Sequence, residues 1–123
     1  MEIIETKNAP AAIGPYSQAA AAGGLVFVSG QLPIDPATGD MPDDAAAAAD
    51  RALKNIAAIL QEKGLGMQNV VKVNIFLRDM ADFAAVNEVY ARHFSPPYPA
   101  RACVAVAGLP KGAVLEIECV ASL

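Results

Sequence analysis

A chain of 123 residues, more than half of them hydrophobic, is long enough to bury most of a core as one domain (1–123) without disulfides or metal. Its net charge of −4, with nine basic residues scattered singly, argues against a nucleic-acid partner, whose phosphates demand clustered Lys and Arg. Much of the apolar content is alanine, which predicts slim, closely packed helices and hints at a buried subunit interface.

Two cysteines, Cys103 and Cys119, fall inside predicted strands and make neither a disulfide framework nor a CxxC metal site. The single histidine, His93, stands beside Phe94 on a helical stretch, which reads as structural; Cys-His and Ser-His-Asp schemes would need it in the pocket. The first residues have no basic region and no long apolar run, so no signal peptide is expected. No segment approaches the ~20 apolar residues of a membrane span. The expectation is a soluble, cytoplasmic domain without metal, cofactor, membrane or nucleic-acid partner.

Glu2 to Lys7 alternates weakly and reads as a first strand, bounded by Asn8-Ala9-Pro10. Gly14-Pro15 marks a turn before Tyr16. Ala19–Ala22 and Leu25–Ser29 read as strands joined by a Gly23-Gly24 hairpin turn, the second running into Ser29-Gly30-Gln31. Leu32 to Pro42 is rich in turn formers. Asp43 or Asp44 caps a helix reaching about Lys63, with Ala49, Ala52, Leu53, Ile56, Ile59 and Leu60 as its apolar stripe and Gly64 as its stop. Val70–Leu77 is the clearest strand, with Val71, Val73, Ile75 and Leu77 inward and Lys72, Asn74, Phe76 and Arg78 on the other face. A second helix spans about Asp82 to Phe94, with Phe83, Val86, Val89 and Tyr90 inward and Asn87 near Phe83 and Tyr90. Ser95-Pro96-Pro97-Tyr98-Pro99 excludes helix and delivers an extended chain to Arg101.

The last two β runs carry charge where buried strands are apolar. Arg101, Cys103 and Ala105 share one face by the two-residue period; Glu116 and Glu118 share a face opposite Leu115, Ile117 and Cys119. A guanidinium in one strand and a carboxylate in another could together hold a small carboxylic acid and move a proton. The pattern alone fits an edge strand with solvated charges at least as well.

The order is β-β-β-α-β-α-β-β. Right-handed, parallel crossovers put two helices on one face of a mixed sheet, an α+β fold. The other face, to which Phe76, Asn74, Cys103 and Glu118 are assigned, has no helix left to cover it. Further copies of the chain are its economical cover.

Six motifs stand in register along nearly the whole chain: Gly14–Gln18, Ser29–Pro33, Asp35–Gly39, Val86-Asn87, Pro99–Arg101, and Leu109–Gly112 followed by Glu116–Glu118. Together they resemble the Rid/YjgF family of reactive-intermediate deaminases. The resemblance implies a chorismate-mutase-like fold and a homotrimer with a central β-barrel and active-site clefts between subunits. It further implies hydrolysis of short-lived enamines and imines, such as 2-aminoacrylate released by PLP-dependent dehydratases, to keto acids. Residue by residue, it puts the carboxylate-binding arginine at Arg101 and the water-orienting, proton-handling glutamate at Glu116. Tyr16, Ser29, Gly30, Asn87 and Cys103 become cleft residues, and Glu118 becomes structural or interfacial. The Ser95–Tyr98 loop is shorter than in some relatives, which puts substrate breadth in doubt.

The chemistry suits these residue types. A planar guanidinium donates two parallel hydrogen bonds to a carboxylate, and one carboxylate can act as base and then as acid. Alternatives remain for individual positions: Tyr16 as a packed aromatic, Cys103 as a small hydrophobe, and Asn87 as a structural bridge. Whole-protein alternatives are a carboxylate-metabolite sensor without turnover, an endoribonuclease or translation inhibitor, and deamination of a different enamine.

Overall fold

The computed structural model describes residues 1–123. In chain order it contains β1 (Glu2–Ile4), β2 (Ala19–Ala22), β3 (Leu25–Gln31), α1 (Ala45–Glu62), β4 (Val70–Leu77), α2 (Phe83–His93), β5 (Ala100–Ala105) and β6 (Leu115–Ser122). This is the expected order, with a shorter first strand. Beyond Ile4 the backbone is served by a side chain instead of a neighbouring strand. Buried Gln18 accepts from Thr6 N at 2.7 Å and donates Nε2 to the carbonyls of Thr6, Ala9 and Pro10.

Helix α1 begins where Asp44 Oδ2 accepts from Ala47 N at 2.8 Å. It ends at Gly64, whose φ of 75° lets the N–H groups of Gly64 and Leu65 turn back to the carbonyls of Gln61 and Leu60. The expected stripe is buried throughout. Leu53 has no exposed surface. Leu53→Ala should therefore lower stability by about 2–5 kcal/mol. Denaturant melts would read this as a lower midpoint at an unchanged slope.

The strands form one sheet in the order β1-β2-β3-β6-β4-β5. Only β4 and β5 pair in parallel; the other neighbours are antiparallel. Because β6 is antiparallel to both β3 and β4, those two run parallel across it, as the helical crossover between them requires. Along β6, Leu115, Ile117, Cys119 and Ala121 are buried, while Glu116, Glu118, Val120 and Ser122 face the other way. Both helices contribute to one apolar core on the buried side. His93 Nε2 and Asp50 Oδ1, 2.8 Å apart, link α2 to α1. Hydrogen bonding from Lys54 and then His93 holds the Asp50 carboxyl below its usual range. His93 is thus structural.

Two placements differ from expectation. Val71 lies outside the core, 45% exposed, because a bulge between Val70 and Lys72 opposite Ala121 and Val120 makes it the extra residue; Val70 takes the inward place. Cys103 lies on the helix side of the sheet, not on the uncovered one. Parallel pairing sets Arg101 beside Val73 and Cys103 beside Ile75, so all four share a face, and Cys103 packs against the core.

The remaining face carries no helix. Ile3, Phe27 and Val104 are each about half exposed on it, with Phe76 and Val120 between them. No helix is long and apolar enough to cross a membrane.

Candidate active site

Glu116 stands on the uncovered face of β6. Beside it β3 bulges: Val28 pairs with Cys119 and Gln31 with Ile117, so Ser29 and Gly30 together oppose Glu118. At Gly30 the missing side chain lets the Glu116 carboxyl lie directly on the backbone. A Cβ there would collide with Glu116 Oε1 and stand 2.8 Å from the carboxyl carbon. Burial, and secondarily the neighbouring Glu118 charge, raise Glu116 above the usual carboxylate range. The shift is in the direction that suits a carboxyl to hold and pass on a proton.

A cleft of about 600 Å³ opens over this carboxyl, lined by Tyr16, Ser29, Gly30, Leu32, Ile34 and Lys111 among others. A larger groove of about 870 Å³ beside the N-terminal segment touches Tyr16 and Ser17 but reaches neither Glu116 nor Arg101. Tyr16 is 54% exposed, so it is no packed core aromatic. Ser29 Oγ donates to Ser17 O at 2.6 Å. With its proton so used, the hydroxyl is left as an acceptor, suited to a substrate nitrogen and not to a carboxylate.

Sequence reasoning missed the residues that hold the cleft walls. Asn55, buried in α1, donates Nδ2 to the carbonyls of Leu32 and Ile34 at 3.2 and 2.9 Å. Arg78 Nη1 donates to Gly112 O at 2.8 Å, securing a loop in which Lys111 adopts a left-handed φ of 58°. An amide interrupting the apolar stripe of α1 was the available signal for Asn55. Glu118 accepts from Asn74 Nδ2 at 3.4 Å, in keeping with a structural role.

Gly30→Ala tests the glycine floor. The atoms in the way belong to a flexible side chain, so stability should change little while the Glu116 carboxyl is displaced. Turnover should fall by roughly tenfold or more at a melting temperature near wild type. Unchanged turnover would remove Gly30 from the site.

Arg101 and its partners form a second cluster. Arg101 Nη1 donates to Asn87 Oδ1 at 2.7 Å. Its guanidinium carbon lies 4.6 Å from the Tyr90 ring centroid and 5.7 Å from that of Phe83. No carboxylate pairs with it; the ion pairs are Lys54–Asp50, Lys63–Glu2, Arg92–Glu88 and His93–Asp50. Arg101 is also exposed, and its charge is free to meet an anion. Burial raises the Cys103 thiol above its usual range, with Arg101 opposing as the smaller effect, so Cys103 is a poor nucleophile there.

The two clusters do not meet in one chain. Arg101, Asn87 and Cys103 belong to the helix side of the sheet edge, whereas Glu116 shares the opposite face with Phe76 and Glu118. The expectation that Arg101 and Glu116 together hold one small acid fails within a single protomer, because strand parity points them apart.

The chain is thus an α+β sheet covered by helices on one side, with an arginine unpaired by any carboxylate at one edge and a perturbed carboxylate on the bare face. Residues 6–123 match the family described as Endoribonuclease L-PSP. The RutC family protein y4sK of Sinorhizobium fredii is 53% identical, with 100% of this chain and 98% of that protein aligned. The 2-iminobutanoate/2-iminopropanoate deaminase of Escherichia coli is 46% identical over 96% of this chain and 94% of its own length. Escherichia coli TdcF, solved with bound serine, superposes with a TM-score of 0.95 at 45% identity, covering 100% of this chain and 99% of that one. The chain belongs to the Rid/YjgF family.

Proposed function

We propose that this protein is a cytoplasmic enamine/imine deaminase. It hydrolyses 2-enamine and 2-imine acids such as 2-aminoacrylate to 2-keto acids and ammonia, in clefts completed between copies of a homotrimer. The single observation that carries the reading is Glu116, a carboxylate raised by burial and seated on a glycine floor at a small cleft. The relative at 46% identity that is named as a deaminase supports it. The trimer, in the chorismate-mutase-like arrangement with sheets lining a central barrel, is supported by the bare apolar face. The opposed placement of Arg101 and Glu116 also favours a cleft completed by a neighbouring copy.

In this scheme an enamine first gains a proton at C3 to become the iminium. Arg101 of one copy holds the substrate carboxylate by two parallel N–H donors. Glu116 of a neighbour takes a proton from water as the water oxygen bonds to C2 and the C=N pair moves to nitrogen. The protonated Glu116 then gives that proton to the amine. The C2–N bond breaks, C2=O forms, and the hydroxyl proton departs with the ammonia as ammonium. Tyr16 and the Ser29–Gly30 backbone border the reacting carbon, Asn87 and Cys103 flank Arg101, and no step is assigned to a metal or cofactor. Free imines already hydrolyse in water, so positioned acid–base catalysis of about 10²–10⁴-fold is sufficient.

The test generates imine in situ with a PLP-dependent dehydratase and follows its decay together with keto acid and ammonia. Protein-dependent acceleration is expected. Binding of keto acids without acceleration would identify a sensor instead. RNA cleavage is the activity in the matched family's description, but the scattered cations and a His93 committed to Asp50 offer it little.

A further inference from the structure

A guanidinium that grips a carboxylate through two parallel bonds must present its edge, so something must hold its faces. In α2, Phe83, Asn87 and Tyr90 recur at four- and three-residue steps and therefore share one side of the helix. That side meets Arg101: Asn87 takes one N–H at 2.7 Å, and the rings of Tyr90 and Phe83 stand 4.6 and 5.7 Å from the guanidinium carbon. Tyr90 is itself packed in, only 5% exposed and stacked on Phe94 at 4.4 Å between centroids. Aromatic faces attract a cation without cancelling its charge, which a carboxylate partner would do. Position 90 also carries a peculiarity. The buried Tyr90 hydroxyl has no hydrogen-bond partner, an unfavourable arrangement that a phenylalanine would avoid. The contact with Arg101 is made by the ring.

We infer that Tyr90 and Phe83 are positioning residues that fix the plane of the Arg101 guanidinium. They thereby set affinity for the substrate carboxylate without touching substrate. The inference rests on Arg101 being the carboxylate binder proposed above. It assigns part of the specificity for 2-keto and 2-imino acids to a helix residue that otherwise reads as core.

The experiment measures calorimetric binding of pyruvate and the KM and kcat for imine produced in situ. Tyr90→Leu should raise Kd and KM by about tenfold with kcat nearly kept, and Tyr90→Phe should restore both constants. Phe83→Leu, at a half-buried and less demanding site, should move KM in the same direction by a smaller factor. It decides the matter if Tyr90→Leu does not fold. In an Arg101→Lys background, which lacks the plane to be stacked, Tyr90→Leu should add nothing. Unchanged KM in the foldable leucine variants, or a Tyr90→Leu effect that persists in the lysine background, would overturn the inference while leaving the deaminase reading intact. If Arg101→Ala itself binds pyruvate normally, the reading of the site fails instead.

Discussion

Glu116→Gln should lower kcat by roughly 10²-fold or more while leaving the affinity for a 2-keto acid almost unchanged. The amide keeps the shape and hydrogen-bonding reach of the carboxylate but cannot accept the proton of the attacking water. Wild-type kcat should fall on the acid side as Glu116 becomes protonated. Because burial and then Glu118 raise this carboxyl above its ordinary value of 4.5, that limb should lie at higher pH than an exposed glutamate would give, and it should vanish in the variant. The same shift has a stability consequence. Folded Glu116 retains its proton at a pH where the unfolded chain has lost it, so its contribution to stability is fullest at low pH and is lost as pH rises through the folded-state value. Glu116→Gln removes that loss and should be no less stable than wild type at neutral pH, which separates failed chemistry from unfolding. Full turnover by the variant would take Glu116 out of the mechanism.

What was legible in the sequence follows from which physical signals are local. The α1 stripe, a cap at Asp43 or Asp44 and the Gly64 stop are local signals, and the structure has the stripe and the stop where the pattern puts them and the cap at Asp44. Alternation in β6 likewise separates Glu116 and Glu118 from Leu115, Ile117 and Cys119. Alternation says which residues share a face, but not which face that is. Arg101, Cys103 and Ala105 do lie together, yet their side is set by register against Val73, Ile75 and Leu77, which no local pattern records. Val71 fails for a related reason: a bulge shifts parity through pairing with β6. The family motifs supplied the identities of the candidate site residues. The division of those residues between two faces, and the nearness of the Phe83 and Tyr90 rings to the Arg101 guanidinium, required the fold. In a one-dimensional reading an aromatic on an inward stripe is simply core.

That division makes the strongest prediction. Arg101→Ala should weaken binding of every 2-keto or 2-imino acid, and Arg101→Lys should rescue little, because an ammonium supplies charge without the two-pronged geometry. Arg101→Ala and Glu116→Gln should each be nearly inactive alone. Arg101 lies on the helix side of the edge strand β5, and Glu116 on the bare face of β6. If a working cleft takes Arg101 from one copy and Glu116 from its neighbour, the two inactive variants complement one another in mixed assemblies. Random assembly from an equal mixture pairs an intact Arg101 with an intact neighbouring Glu116 at about one site in four. Co-refolding the two variants should therefore recover about a quarter of wild-type turnover, with wild-type KM at the restored sites. Mixing them after separate folding should recover activity only as fast as subunits exchange. Sedimentation equilibrium on the same samples should give a trimer mass. If the mixed assemblies form and stay inactive, the cleft does not take Arg101 and Glu116 from different copies.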